Sequence, residues 1–247
     1  MLLRRFMQHV KDQNWFAVGL DVVVVIVGIF LGMQVQQWYE DIKDREIEQT
    51  YYLKFIDDLN NELTTINDLV TDTNARIETG KELILDLHLG THDKYFILNK
   101  WLTVIRMPIY EPRRATYQDL LSSGNLNLIN NEAIKEAILA YYSDIDNRSI
   151  QLRQNRDGIT LRTFDYSYTE LGLQELEYAR ETLGKEVISK LPPNDWHLDI
   201  NDPLFKRFQD DLLFAITLSE RQIIHFEEIK KEINKAMTVI EQNLNDE

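Results

Sequence analysis

One stretch constrains this chain more than any other. Residues Trp15 to Met33 read WFAVGLDVVVVIVGIFLGM, with Asp21 as the single charge, and no polar side chain interrupts Val22 to Met33. As a helix rising ~1.5 Å per residue, Trp15 to Trp38 covers about 35 Å, enough for a hydrocarbon core of roughly 30 Å with its interfaces. Trp15, Trp38 and Tyr39 fall where an aromatic belt belongs. The apolar run is longer than a signal-peptide h-region and no A-x-A-like site follows it, so an uncleaved anchor is expected. The chain then divides into a tail over 1–14, a transmembrane helix over 15–38 and a soluble domain over 39–247. Arg4, Arg5 and Lys11 precede the span, against Lys43, Arg45 and the more distant Lys54 after it. That balance is expected to keep the tail in the cytoplasm and to place the soluble domain outside it.

The soluble domain reads as helices throughout. From Tyr52 the apolar positions Ile56, Leu59, Leu63, Ile66, Val70, Ile77, Ile84 and Leu87 follow steps of three and four, once Thr73 and Gly80 fill the gaps. This heptad seam continues directly out of the span and stops at Leu89-Gly90-Thr91. A second seam, Leu212, Ile216, Ile223, Phe226, Ile233, Met237, Ile240 and Leu244, closes the chain behind an Asp202-Pro203 start. Two such helices cannot bury their stripes alone, and the expected fold is all-α: one transmembrane helix, then a bundle holding two long antiparallel helices. Between them, short helices are expected over Tyr95–Met107 and Ala115–Leu121. A longer one should run from Ala133 toward Arg156, and a further helical stretch should cover Leu161–Leu183. Leu191 to Trp196 reads as a surface loop.

Charge and composition exclude several functions. A formal charge of −14 repels phosphate backbones and argues against a nucleic-acid binder. The absence of cysteine removes thiolate nucleophiles, Fe–S clusters and Cys-type zinc sites. No P-loop, G-x-G-x-x-G or G-x-S-x-G is present.

Two segments, NWFAVGLDVVVVIVGIFLGMQVQQWYED and the Thr116–Tyr142 stretch TYQDLLSSGNLNLINNEAIKEAILAYY, together resemble a widespread family of bacterial single-span proteins known as a domain of unknown function. The matching positions are Asp21, Gly28, Gly32 and Trp38, then Ser122 to Leu128, then Tyr141 and Tyr142. The resemblance implies one span and a helical domain, and it brings no catalytic residue with it.

The remaining constellations favour structural readings. His88 and His92 lie four apart beside Asp86 and Asp93, yet Gly90 and Thr91 interrupt the helix between them, so no metal site is expected. His225-x-x-Glu228 reverses the order used in carboxylate-bridged di-iron bundles and reads as surface. The adjacent pairs Asp57-Asp58, Asp210-Asp211 and Glu227-Glu228 point about 100° apart on a helix and read as solvated faces. Ser122-Ser123-Gly124 reads as a helix stop with Gly124 at positive φ. Two sets of residues are candidates for function. Asp21, Gly28, Gly32 and Gln36 share one stripe of the span and form a transmembrane interface. Arg106, Arg113, Arg114, Tyr117, Tyr141 and Tyr142 could gather into a patch for an anion or a partner. The expected function is therefore non-enzymatic, without cofactor: a membrane-anchored helical protein that contacts the bilayer, itself or another protein. An extracytoplasmic sensor of a small ligand, acting through a membrane partner, is the alternative.

Overall fold

The computed structural model describes Met7, residues 15–191 and residues 194–245. The expected tail over 1–14, apart from Met7, and the Pro192-Pro193 pair lie outside the described residues. Every regular element among the described residues is helical. The first, α1 (Trp15–Leu89), is a single helix of 75 residues that carries the apolar run at one end and the first seam at the other. It ends at Gly90, whose φ of +63° is the left-handed conformation expected of a C-terminal stop.

The chain then returns along α1 in pieces. Helix α2 (Lys94–Ile105) is capped by the Asp93 side chain, which accepts from Phe96 N. Pro108 and Pro112 forbid a helix through the segment that follows, and α3 (Ala115–Ser122) ends at Gly124, φ +75°. A 3₁₀ turn over Asn125–Leu128 leads into α4 (Glu132–Phe164). Contacts show the descent. Lys100 reaches Glu82 and Asp86, the Arg106 carbonyl accepts from Arg76, Arg113 N donates to Glu62, and Asn130 N donates to Glu48. This broken arm fills one corner of a four-cornered bundle.

The other corners are long helices. Helix α4 runs parallel to α1, with the Phe55 and Tyr142 rings 6.4 Å apart. Helix α7 (Pro203–Asn245) runs antiparallel to both, since Gln209 meets His88, Gln222 meets Arg76, Asn243 meets Asn131 and Asp211 meets Arg162. Pro203 opens α7 and the Asp202 carboxylate accepts from Leu204 N at 2.7 Å, as the Asp-Pro pair predicts.

Between α4 and α7 the expected helix over Leu161–Leu183 is corrected. Helix α4 ends at Phe164, α5 (Tyr168–Leu171) begins on a Ser167 cap, a 3₁₀ turn covers Leu173–Glu175, and α6 (Glu177–Ile188) follows. Gly172 adopts φ +93°, and a Cβ there would lie 2.6 Å from Lys94 Cε, so the chain turns where only glycine admits that lysine. The expected surface loop is corrected at its Trp196 end, while Asn194 and Asp195 before it are irregular and Asp195 is exposed. Trp196 and His197 are buried in a 3₁₀ turn over Trp196–Leu198, and Trp196 Nε1 donates to the Leu171 carbonyl at 3.0 Å.

Two apolar cores result. The near core, beside the span, joins Tyr52, Phe55, Leu59 and Ile66 of α1 to Ile138, Tyr142, Phe226 and Ile233. The far core joins Leu83 and Leu87 to Trp101, Leu171, Trp196, Phe205 and Phe208. A buried polar layer lies between them. Arg76 Nη2 donates to Thr73 at 2.8 Å and to Gln222 at 3.4 Å, while Asn155 and Ser219 are buried on α4 and α7.

Candidate functional site

Two regions carry the candidate residues, and both are built on α1. In the first, the side chains from Val22 to Val27 and from Ile29 to Leu31 are all exposed, as are Met33, Val35, Trp38 and Tyr39. The rest of the chain does not cover this surface, and as a helix it is long and apolar enough to cross a membrane. A Cβ added at Gly28 or Gly32 would meet nothing within 4 Å, so both glycines lie open. Helical geometry relates this segment to the bundle because α1 is unbroken. With Asp21 as origin and ~100° per residue, Gly28, Gly32, Gln36 and Tyr39 fall within about 60° of it. The buried positions Glu48, Tyr52, Phe55, Leu59, Glu62 and Ile66 fall between about 140° and 220°. The span stripe therefore points away from the body of the bundle. Above it on the same face of α1 lie the exposed residues Leu53, Asp57, Asn61 and Thr64.

The second region is the near core, where carboxylates of α1 meet tyrosines. Glu62 is almost fully buried and accepts from Tyr110 Oη at 2.6 Å and from Arg113 N at 3.0 Å. Its place in the seam was not expected, since a glutamate in a heptad run reads as solvated. The position lies three residues after Leu59 and four before Ile66, and two donors from the return arm satisfy the charge there. Burial, with Glu62 next, pushes the Tyr110 phenol well above the ordinary tyrosine value. Tyr141 and Tyr142 are also raised, first by burial and then by Glu62 for Tyr141 and by Asp58 followed by Glu62 for Tyr142, while Arg114 opposes both. All three phenols stay neutral, and Tyr110 donates to Glu62. Glu48 is placed similarly. It accepts from Tyr52 Oη, from Asn130 N at 2.5 Å and from Asn131 N at 3.3 Å. Its charge thus sits at the start of α4, where the helix dipole favours an anion.

The structure gathers part of the proposed patch. Tyr117 stacks on Tyr142 with centroids 4.1 Å apart, Tyr141 lies edge-on to Tyr142, and Arg114 pairs with Asp146. Arg113 contributes its backbone N–H rather than its guanidinium, and Arg106 stands apart, with its carbonyl accepting from Arg76. Asp58, Glu62 and Asp146 share the neighbourhood, so the tyrosines and Arg114 are engaged by this chain's own carboxylates.

Other sequence readings change with the fold. Asp211 is buried rather than solvated, accepting from Tyr166 Oη at 2.8 Å and Arg162 at 2.7 Å. Asp58 is half-buried, with one carboxylate oxygen enclosed. His225 is also half-buried, and burial lowers its pKa, with Arg148 and Arg221 acting in the same direction. His88 turns to Gln209 at 2.6 Å and His92 to Asp86 at 3.4 Å, so the two rings diverge. Among the described residues no group of three His, Cys, Asp or Glu could hold a metal ion.

The architecture thus defines a class: a helical bundle whose first helix extends, without a break, into a segment fit to span a membrane. The chain belongs to DUF6090, a family of unknown function, whose model matches residues 21–157, more than half of its length. The match takes in most of the span, the bundle part of α1, the return arm and most of α4. It stops before the α5–α6 cap and α7. No curated protein and no solved structure matches the chain.

Proposed function

We propose that this protein is a single-pass bacterial membrane protein without enzymatic activity, whose anchored bundle mediates protein–protein contact, beginning with a second copy of itself. The phase relation within α1 carries this reading: Asp21, Gly28, Gly32 and Gln36 face away from the bundle that the same helix supports. Two parallel copies can meet along this stripe with their bundles directed outward, so span contact is not opposed by a clash above the membrane. Open glycines permit close backbone approach. A carboxyl group held in lipid would cost ~2.5–3.5 kcal/mol on insertion scales, and a partner helix relieves that cost. The cytoplasmic tail and the periplasmic bundle follow from the Lys and Arg balance beside the span. Against a sensor that binds its ligand inside the bundle stands the filled axis of the near core, where Tyr52, Phe55 and Phe226 are buried.

A membrane self-association assay on the full chain tests the reading. Gly28→Leu and Asp21→Leu should each reduce association severalfold, and Val23→Leu, at about 200° and so on the opposite face, should not. Association equal to the parent in both stripe variants would sink the proposal. A reporter fused after Glu247 should behave as exported, and a cytoplasmic reporter signal would reverse the assigned orientation.

A further inference from the structure

The far end of the bundle holds a cluster that the anchoring role does not use. Lys94, the first residue of α2, is almost fully buried. Its ammonium donates to the Asn194 carbonyl at 2.6 Å and lies 2.6 Å from a Glu175 carboxylate oxygen, while its stem rests against Gly172. These contacts fasten the stretches around 172–175 and Asn194 to the body of the bundle. His197 is buried beside them, and its Nδ1 has no hydrogen-bond partner. The Gln174 carbonyl oxygen is likewise enclosed and unpartnered. The charged groups facing the imidazole are Asp195, Lys94, Glu175 and Asp93; α7 turns Phe208 toward this corner, 4.8 Å from the Trp196 ring.

We propose that the 165–202 segment is an acid-released latch, with His197 as the proton acceptor that opens it. A proton on the ring places an imidazolium in a desolvated corner beside the Lys94 ammonium. Burial is the largest influence on the group, and it lowers the His197 pKa below the ordinary 6.5. Lys94 lowers it further, against the opposing pull of Asp195, Glu175 and Asp93. The sign follows. A histidine with a depressed folded pKa binds fewer protons when the latch is closed, so closure is fully favoured above 6.5 and weakens as pH falls through the folded value. Release uncovers Trp196, Trp101 and Phe208, which makes an apolar surface available at the end of the bundle farthest from the span. The device works on whichever side of a membrane the bundle lies.

Hydrogen exchange of the full chain in detergent, corrected for intrinsic rates, is the test. Between about pH 7.5 and about pH 5.5, protection of peptides within 166–202 should fall by up to about tenfold, the limit set by one linked proton. Peptides from the near-core part of α1 should not follow. His197→Gln, which keeps a polar side chain but cannot titrate, should abolish the pH dependence. Histidine-selective NMR on the parent chain supplies a reading that does not depend on the variant folding: the His197 midpoint should lie below 6.5. A midpoint at or above 6.5, protection that does not change with pH, or a pH response that persists in His197→Gln would each overturn the latch.

Discussion

The near core buries carboxylates, whereas the far core buries a lysine ammonium as well as the Asp211 carboxylate. Near the span, the buried charges are the carboxylates Glu48 and Glu62, held on one straight helix and satisfied by tyrosine hydroxyls and backbone N–H groups from the return arm. At the far end Asp211 is likewise held, by Tyr166 Oη and Arg162, but the buried Lys94 ammonium has partners, Asn194 and Glu175, that sit in or between short elements joined by turns. Glu48 takes its donors from a long helix and a helix start, which need little further ordering, whereas the Asn194 loop carbonyl must be held by the fold it helps to close. The comparison teaches that the near core is the rigid continuation of the anchor and the far core is the part able to open. The polar layer around Arg76 lets the two differ.

Perturbing each core separately tests this division. Ile233→Asp, which puts an unpaired carboxylate into the near core, should have the largest effect, costing upwards of about 4 kcal/mol and unfolding both cores together in denaturant titrations. Trp196→Ala should cost about 3–5 kcal/mol. Exchange protection should then be lost around the cap while the near core stays protected, and simultaneous loss would mean that the polar layer does not separate the cores. Glu62→Ala strands the Tyr110 hydroxyl and the Arg113 N–H, and should lower stability by about 1–3 kcal/mol in thermal or chemical unfolding. Gly172→Ala combines a left-handed backbone with a clash against Lys94, so about 1–3 kcal/mol should be lost, all of it at the far end. Gly90→Ala shares the positive φ without the clash and should cost about 1 kcal/mol. Glu232→Ala, on the bundle surface, should cost under about 0.5 kcal/mol.

Features written in local chemistry were readable from the sequence. The C-terminal end of α1, the start of α7, the helix stop at Gly124 and the all-helical class follow from Gly90, Asp202-Pro203, the Ser-Ser-Gly turn and heptad spacing. The helix long and apolar enough to cross a membrane is readable for the same reason, since its signal is a contiguous run. What escaped depends on partners far along the chain. Glu62 reads as surface until Tyr110, 48 positions later, supplies its donor. His197 and Trp196 follow a Pro-Pro pair that suggests an exposed loop, and only Leu171, 25 residues earlier, shows why that loop folds inward. The helical pattern over Leu161–Leu183 was overridden at Gly172, where the Lys94 stem needs the space. Of the tyrosine patch, spacing suggested Tyr117, Tyr141 and Tyr142, but it could not reveal that Asp58 and Glu62 would meet them.

Because α1 does not pause between its apolar, membrane-length segment and the bundle, the length of the connection is itself information. Each residue added between Trp38 and Glu48 would turn the bundle about 100° around the helix axis and lift it ~1.5 Å. Two added residues would bring its buried face to the side of the span stripe, while seven would restore the original bearing to within about 20°. The juxtamembrane segment therefore acts as the tooth count of a gear, and the direction in which the bundle faces its neighbours is set by a number of residues rather than by their identity.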